Sequence, residues 1–350
     1  MNARIVFSFL LVVRNEKYYI RRVLESILHQ DFPQNQYEII VVDGQSTDST
    51  PLIVNTYQRR HPGRIQYLKN PQKTLPSGWN IGIKYAKGDY VIRVDGHSDI
   101  PRDFLSKTHE VITRVPEADC VGGVIQSEGE GFWGNVNAYV YSHPFGVGNS
   151  KFRITKKQWE GYVDTVPYGA YKRQLFQEVG FFDESLKRNE DLEMHARIRK
   201  KGGRFFLSTE IRSTYFVRNT LGGLVKKSLG DGKWTIVAAK RGLGVLRWRH
   251  RIPLVAFLTG CLLAISSIFS VVSLSILLAL VAVYVCLLTV SAAGLARKKG
   301  MRYLFPCMLA FFLLHFSRGL GSASSLLSKD YWRKKRVYET QLNRLPDITP

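Results

Sequence analysis

Short apolar runs rich in β-branched residues alternate with amphipathic segments along the first part of the chain. These runs predict strands buried on both faces, as in a parallel sheet, and they cover Ile5–Val13, Tyr37–Val42, Arg64–Leu68, Tyr90–Val94 and Cys120–Ile125. Helical spacing and helix-start residues predict helices at Ile20–Leu28, from Thr50-Pro51, and over Gly78–Ala86, Arg102–Arg114 and Arg173–Val179. The alternation predicts an α/β fold with a doubly wound, mostly parallel sheet and helices on both of its faces.

Apolar residues dominate the last third of the chain. No charged residue occurs between Ile252 and Ala296, and a helix needs about 20 apolar residues to cross a bilayer. We therefore expect two transmembrane helices, at 252–273 and 275–296, separated by a break near Ser270–Ser275. A third apolar segment, 303–325, contains Arg318. Its topology stays open, and a re-entrant or interfacial position is favoured because a full span would move the basic tail to the other side of the membrane.

Positive charge is concentrated around these apolar segments in a chain whose formal net charge is +22. Basic residues and tryptophans are interleaved at 220–251, which predicts an amphipathic segment that binds anionic membrane lipids. Basic clusters at Arg297–Arg302 and Lys329–Arg336 are expected to face the cytoplasm. The expected organisation is an α/β domain at 1–219, the interfacial segment at 220–251, a transmembrane region at 252–327 and a basic tail at 328–350. The protein is then a multi-pass protein of the cytoplasmic membrane, with its α/β domain in the cytoplasm.

The same positive charge is also found in nucleic-acid-binding proteins. We expect no nucleic-acid partner, because the basic residues border the apolar segments and no recognition motif occurs. The four cysteines have no metal-ligand spacing and are predicted to act as small apolar residues.

Acidic residues follow two of the predicted strands and begin one further predicted helix. They are Asp43 in IIVVDGQSTDST, Asp95 in DYVIRVDGH and the pair Glu190-Asp191 in SLKRNEDLEMH. Because open α/β sheets bind ligands beyond the carboxyl ends of their strands, Asp43 and Asp95 are candidate binding residues. Local structure alone could also account for these acids, through a tight turn at Asp43, an exposed turn at Asp95, and a helix dipole that favours acids at Glu190-Asp191.

Together with FLLVVRNEKYYIRRVLESILHQ near the start, these segments resemble the family-2 glycosyltransferases, which are inverting enzymes of the GT-A fold. Within that family the chain is most similar to the membrane-attached glucosyltransferases of bacterial exopolysaccharide assembly, the succinoglycan type. The resemblance covers roughly residues 5–240. It implies a nucleotide-sugar donor, a divalent cation (Mn²⁺ or Mg²⁺) and a lipid-linked saccharide as the acceptor, with a polysaccharide assembly complex as a further partner.

The resemblance implies a nucleotide-binding role for several loops. In the family, the aspartate that corresponds to Asp43 accepts the N3 hydrogen of a uracil ring, and the end of the first strand flanks the nucleotide. The segment NPQKTLPSGWN matches a loop that helps to hold the nucleotide. Arg14 stands where a tyrosine or another neutral residue is common, and its role is left open. The candidate nucleotide-sugar-binding residues are Val13, Asn15, Glu16, Asp43, Asn70, Gly78, Asn80 and Asp95.

Asp95-Gly96-His97 takes the place of the family's metal-binding DXD motif, so Asp95 and His97 are the candidate metal ligands. A divalent cation at this position offsets the negative charge of the leaving nucleoside diphosphate. His97 replaces the usual second acid, which favours manganese over magnesium. Asp99 is a nearby substitute ligand.

The family places its catalytic base at the acidic pair, and Asp191 is the first choice, with Glu190 as the second. An inverting transfer is a single displacement in which a carboxylate takes the proton of the attacking hydroxyl. The candidate acceptor-binding residues are Tyr168, Gly169 and Trp159. Residues Gly129–Lys157 are a further candidate acceptor loop by composition alone. Processive members carry a Gln-x-x-Arg-Trp motif where this chain has SLGDGKW, so we expect the addition of one sugar or a few.

The sequence therefore predicts a metal-dependent inverting glycosyltransferase that moves a hexose, with glucose as the expected sugar, from a UDP-sugar to a lipid-linked saccharide for exopolysaccharide assembly. One alternative is a polyprenyl-phosphate sugar synthase, whose acceptor is the lipid phosphate itself. An alternative from another class is a catalytically silent membrane scaffold of a polysaccharide assembly complex.

Overall fold

Residues 4–242 and 244–333 are described by a computed structural model of the chain. They divide into two units, each assembled from separated parts of the sequence. The first unit contains residues 4–126 and Thr155–Tyr215, and the second contains Ser127–Ile154 and residues 216–333. The predicted tail at 328–350 lies outside the described residues beyond Arg333.

Four parallel strands form one half of the sheet in the first unit. They are β1 (Phe7–Val13), β2 (Tyr37–Asp43), β3 (Ile65–Lys69) and β4 (Tyr90–Asp95), in the order β3-β2-β1-β4. β2 is buried along its whole length, and β1 is buried except at the partly exposed Val12, which accounts for their continuous apolar sequences. The parallel strands predicted from the sequence are therefore confirmed, with ends shifted by one or two residues.

Five further strands with antiparallel pairing complete the sheet, which is mixed. They are β5 (Ser98–Asp99), β6 (Cys120–Glu128), β7 (Glu160–Val163), β8 (Ala170–Lys172) and β9 (Phe205–Phe216). The order continues β4-β8-β6-β9-β5, and β7 pairs with β9. β8 is antiparallel to both β4 and β6. Of these five strands, only β6 is among the strands predicted from the sequence.

Six helices belong to the first unit: α1 (Ile20–Leu28), α2 (Thr50–Arg60), α3 (Leu75–Tyr85), α4 (Phe104–Arg114), α8 (Leu175–Val179) and α9 (Glu190–Lys200). The buried side of α1 consists of the predicted stripe Ile20, Val23, Leu24, Ile27 and Leu28. These side chains share one apolar core with β1, β2, β4 and α4. The predicted α/β fold of this part of the chain is confirmed.

The second unit is helical apart from the ends of β6 and β9. Residues 127–154 contribute α5 (Gly131–Ser142), α6 (Pro144–Val147) and α7 (Lys151–Ile154). The later part contributes α10 (Leu221–Arg241), α11 (Trp248–Ser266), α12 (Val271–Lys299), a 3-10 turn at Met301–Tyr303, α13 (Leu304–Ser325) and α14 (Lys329–Trp332). The candidate acceptor loop at Gly129–Lys157 thus consists largely of helices that pack within this unit.

Among the described residues, three helical segments are long and apolar enough to cross a membrane: Trp248–Ser266, Val271–Lys299 and Met301–Ser325. The first ends at Ser266, earlier than the predicted span 252–273, because the serine-rich break comes at 267–270. Ser270 caps α12 directly before Val271, and its Oγ accepts a hydrogen bond from Ser273 N at 3.4 Å. α13 continues past Arg318 to Ser325, so the third segment also reaches spanning length. Its topology stays a prediction.

α10 packs closely against α13. A Cβ on Gly232 would lie 2.1 Å from the carbonyl oxygen of Arg318, and one on Gly321 would lie 2.2 Å from that of Leu229. Ser322 Oγ also donates a hydrogen bond to the Gly232 carbonyl at 3.2 Å. The segment predicted to be interfacial is therefore covered on one side by protein, and its binding to anionic lipids stays a prediction.

Candidate active site

Strand register brings three of the predicted residues to one edge of the sheet. Val13 lies opposite Asp43 in the β1–β2 pair, and Val12 lies opposite Asp95 in the β1–β4 pair. The loops that follow β1, β2 and β4 therefore meet at the carboxyl edge, where ligands of open α/β sheets bind.

Asp43 is held in one orientation at this edge. Its side chain is buried and accepts hydrogen bonds from the backbone nitrogen of Ser46, at 3.1 Å, and from Ser46 Oγ. The Tyr67 hydroxyl is its neighbour on β3. Burial and the charge of Asp43 raise the pKa of Tyr67 to about 12, so this hydroxyl stays protonated and can donate to the carboxylate. A carboxylate fixed in this way is a strong acceptor for the N–H group of a base.

The loop after β1 is bound along its length to the loop after β2. Asn15, in a left-handed conformation with φ 57°, donates its backbone N–H to Ser46 Oγ at 2.9 Å. Its side-chain oxygen accepts from Thr47 N at 2.8 Å, and Glu16 N donates to Thr50 Oγ1 at 2.9 Å. The predicted residues Asn15 and Glu16 are therefore positioned by the polar residues of QSTDST.

The predicted residues of α3 and its preceding loop have internal partners. The Asn70 amide donates to the Thr74 carbonyl and accepts from Ser77 Oγ, each at 2.7 Å. The Asn80 amide donates to the Phe182 carbonyl and accepts from Phe182 N, both at 2.9 Å. These bonds shape the loop and anchor the segment before α9. Direct contact of Asn70 or Asn80 with a nucleotide stays a prediction.

The Asp95-Gly96-His97 turn faces Glu16. His97 Nδ1 lies 3.4 Å from Glu16 Oε1, and the Tyr168 hydroxyl donates to Asp95 Oδ2 at 3.2 Å. Tyr168, a predicted acceptor residue, thus lies beside the candidate metal ligand. Asp99, the predicted substitute ligand, is instead occupied by Arg22, whose Nη2 is 2.7 Å from Asp99 Oδ2.

The turn fits a divalent cation only if the substrate supplies further ligands. In the described part of the chain, no group of three or more His, Cys, Asp and Glu side chains is arranged to hold a metal ion. Magnesium-type sites commonly combine one or two carboxylates with substrate phosphates. A metal-binding histidine also commonly donates its other ring nitrogen to a carboxylate, and Glu16 Oε1 lies 3.4 Å from His97 Nδ1. Asp95 and His97 therefore fit a cation that arrives with a diphosphate.

The acidic pair begins α9, and its two carboxylates have different surroundings. Glu190 is 3% exposed, and Arg93 Nη2 donates to its Oε1 at 3.1 Å. Burial and the neighbouring charge of Asp191 raise the pKa of Glu190 to about 7, although Arg93 opposes the shift. Asp191 is partly exposed, and its Oδ1 accepts from Leu192 N at 2.8 Å. Asp191 is therefore the more accessible of the two.

Two other predicted acceptor residues differ in position. A Cβ on Gly169 would lie 2.5 Å from Cys120 Sγ, so glycine is needed there for close packing beside Tyr168. Trp159 pairs with Thr209 on β9, whereas the Asp95 turn continues into β5, which pairs with Thr214 and Tyr215. Five residues of strand span about 17 Å, so Trp159 is not brought next to Asp95. Contact of either residue with an acceptor stays a prediction.

Comparison with known sequences decides the family. Residues 8–180 match the sequence model of glycosyl transferase family 2. This domain belongs to glycosyl transferase family 2. The predicted resemblance to this family is thereby confirmed, and so is the transferase class. The Glu190-Asp191 pair lies outside the matched residues.

Two relatives match this family-2 protein over more residues than the family model covers. It is 28% identical over 247 residues to the dolichyl N-acetyl-alpha-D-glucosaminyl phosphate 3-beta-D-2,3-diacetamido-2,3-dideoxy-beta-D-glucuronosyltransferase of Methanococcus voltae, covering 69% of this chain and 76% of that protein. It is 27% identical over 269 residues to the succinoglycan biosynthesis protein ExoA of Rhizobium meliloti, covering 75% of this chain and 79% of that protein.

A solved structure supports the GT-A fold of this family-2 glycosyltransferase. The solved structure is that of the mannosyltransferase PcManGT from Pyrobaculum calidifontis in complex with GDP-Man and Mn²⁺. The TM-score is 0.61 at 17% identity, over 93% of this chain and 88% of that chain.

Proposed function

We propose that the protein is an inverting glycosyltransferase that moves a hexose, with glucose first among the candidates, from a UDP-sugar to a lipid-linked saccharide at the cytoplasmic face of the membrane. The observation that carries the proposal is the shared sheet edge of Asp43 and Asp95, together with the Arg93–Glu190 bond that links β4 to the first turn of α9. A donor-binding acid, a metal-binding acid and a candidate base thus belong to one site.

The donor half of the site is assigned to the strand ends. Asp43 would accept the N3 hydrogen of uracil, which favours UDP-sugars, because its carboxylate is already fixed by Ser46. Asp95 and His97 would hold a divalent cation, Mn²⁺ or Mg²⁺, which when bound offsets the charge of the leaving diphosphate. A distant fold relative was solved with GDP-Man and Mn²⁺, which supports a metal with a nucleotide sugar.

Asp191 is assigned as the base. The acceptor oxygen forms a bond to the anomeric carbon while the bond from that carbon to the UDP oxygen breaks, and the hydroxyl proton passes to the Asp191 carboxylate. Glu190 is less suited to this step, because it is buried and its carboxylate is bonded to Arg93. A carboxylate that contacts the acceptor has to be accessible, as Asp191 is.

The acceptor is proposed from the long apolar helices of the chain and from the names of two relatives. Three helical segments are long and apolar enough to cross a membrane, which would hold the enzyme beside a lipid-linked substrate. One relative is a glycosyltransferase whose name specifies a dolichyl sugar phosphate, and another takes part in succinoglycan biosynthesis. Basic residues at the helix ends favour the cytoplasmic face and contact with anionic lipids.

The test is UDP release by the full chain reconstituted in liposomes with Mn²⁺ and lipid-linked saccharide, scanned over UDP-glucose, UDP-galactose, UDP-N-acetylglucosamine and GDP-mannose. We expect release with one donor, its loss with EDTA, and its loss in Asp191→Asn and Asp95→Ala. Asp103→Asn is the matched control, because Asp103 is an exposed acid at the start of α4 and is expected to leave release unchanged.

The outcomes separate the competing functions. Transfer to polyprenyl phosphate, with none to the lipid-linked saccharide, would support a polyprenyl-phosphate sugar synthase instead. No release with any donor, in a chain that still binds membranes, would support the scaffold.

A further inference from the structure

Arg93 occupies an unusual position for a charged residue in the middle of a sheet. Side chains alternate along a strand, so Arg93 and Asp95 project from the same face of β4. The Arg93 side chain is 12% exposed. Its guanidinium carbon lies 4.4 Å from the ring centre of Trp79 and 4.7 Å from that of Phe182. Its Nη2 then reaches Glu190 Oε1 at 3.1 Å.

We propose that Arg93 is a positioning residue that sets the placement of the Asp191 carboxylate relative to the Asp95 turn. It stands two residues before Asp95 on the strand, and it bonds the residue immediately before Asp191 on the helix. This inference rests on the proposed function, because it assigns Arg93 a part in the transfer that Asp191 carries out.

Two features make this link stiff. The planar guanidinium lies over two aromatic rings, and Trp79 is itself fully buried, so the cation has little freedom to move. The chain also enters α9 through Asn189 in a left-handed conformation, with φ 58°, which leaves Glu190 as the first helical residue. A bond to Glu190 therefore fixes the first turn of the helix, and the backbone of Asp191 with it.

Arg93 also provides a buried positive charge near the two adjacent carboxylates of Glu190 and Asp191. Replacing it with an apolar side chain leaves Glu190 buried beside Asp191 without a compensating cation. Breaking one partner of a buried pair is costly because the remaining charge is unpaired. A purely structural ion pair would show the same loss of stability, so the test has to read turnover separately from stability.

The experiment compares Arg93→Met, Arg93→Lys, Glu190→Gln and the Arg93→Met/Glu190→Gln double variant in the full chain. Turnover is expressed per active site, counted from the stoichiometry of UDP binding, and the KM for the donor is measured alongside thermal unfolding. Arg197→Met is the matched control, because Arg197 pairs with the buried Glu193 on the same helix at 2.8 Å.

We expect Arg93→Met to lower kcat per site by about 100-fold, the scale of a misplacement near 1 Å, with the KM for the donor nearly unchanged. Arg93→Lys keeps the charge but not the planar stack, so it should recover only part of the turnover. Glu190→Gln should restore stability to Arg93→Met, because it removes the uncompensated charge.

Two results would overturn the inference. If the wild type is active and its Arg93→Met variant keeps the same kcat per site, the proposed role of Arg93 is overturned. The proposed function is unaffected by that result. A wild type that transfers no sugar would overturn the proposed function and the catalytic meaning of Arg93 together.

Discussion

At the scale of single residues, burial gives two adjacent acids different chemistry. Glu190 and Asp191 share the first turn of α9, but Glu190 is buried against Arg93 and Asp191 is partly exposed. The burial of Glu190 and the charge of Asp191 raise the pKa of Glu190 to about 7. The proton on Glu190 therefore contributes to the stability of the fold at acidic pH.

This proton makes the stability depend on pH in a predictable direction. The pKa of Glu190 is raised in the folded protein, so its contribution to stability is fully present below its ordinary value of 4.5 and is lost as the pH rises through about 7. Glutamine keeps the shape of the side chain without the charge. We expect the melting temperature of Glu190→Gln, relative to that of the wild type, to rise between pH 5 and pH 8, measured by thermal unfolding in detergent.

The control for this pH series is Glu110→Gln. Glu110 has a half-exposed side chain paired with Lys107 on the surface of α4. The difference between this variant and the wild type should stay flat over the same pH range. A flat difference for Glu190→Gln as well would contradict the raised pKa.

The sequence identifies the residues at strand ends better than those that support them. Asp43 and Asp95 are predictable because each ends an apolar run, and the register of parallel strands then brings them together. Arg93 is missed because nothing local distinguishes it within YVIRVD. Its surroundings come from Trp79, Phe182 and Glu190, which lie on other elements, so its role depends on tertiary contacts alone.

At the scale of elements, α3 packs against β1 through glycine. A Cβ on Gly78 would lie 2.4 Å from Val12 Cγ1 and 3.2 Å from Asn70 Nδ2. The β-branched Val12 has little rotamer freedom to retreat. One turn further along α3, the nearest neighbours of a Cβ on Gly82 would be the two methyl groups of Leu10, each at 3.1 Å.

These two glycines predict opposite results. Gly78→Ala should destabilise the protein by about 1–3 kcal/mol, because the added methyl forces the helix away from the strand. It should also disturb the Asn70 loop and raise the KM for the donor. Gly82→Ala should be close to neutral, because the gain of roughly 0.5–1 kcal/mol from alanine in a helix offsets the small shift of Leu10. Equal unfolding midpoints for the two variants would be inconsistent with this packing.

The antiparallel half of the sheet shows where element prediction fails. β5 and β8 have two and three residues, too few to show any periodicity. β9 is long, but FFLSTEIRSTYF mixes buried polar and apolar positions, because Ser208, Thr209 and Ser213 are buried. These strands are recognised only by their partners. The parallel strands, in contrast, are buried and apolar, and their sequences suffice.

At the scale of the whole molecule, the predicted division at 219 does not follow the structural units. Residues 127–154 belong to the unit that also contains the apolar helices. Within that unit, the ring of Phe145 lies 5.4 Å from that of Phe311, and His315 Nε2 bonds the Phe145 carbonyl at 2.7 Å. Sequence patterns do not reveal this association, because the two parts are separated by about sixty residues that belong to the other unit.

This organisation predicts how a shortened chain behaves. A chain ending at residue 219 retains α5 and α6 but lacks α10 and α13, which cover them within the second unit. The apolar surface around Val140 and Phe145 would then be exposed, and exposed apolar patches promote association. We expect the shortened chain to aggregate without detergent, as measured by size-exclusion chromatography with light scattering.

A paired substitution separates this cause from general misfolding. Val140→Ser with Phe145→Ser should raise the monomeric fraction of the shortened chain, because it makes the uncovered surface polar. In the full chain the same pair should lower the melting temperature, because Val140 is buried there and Phe145 packs on Phe311. A shortened chain that is monomeric without these substitutions would show that residues 127–154 do not depend on the later helices. The division at 219 predicted from the sequence would then describe the folding unit better than the two structural units do.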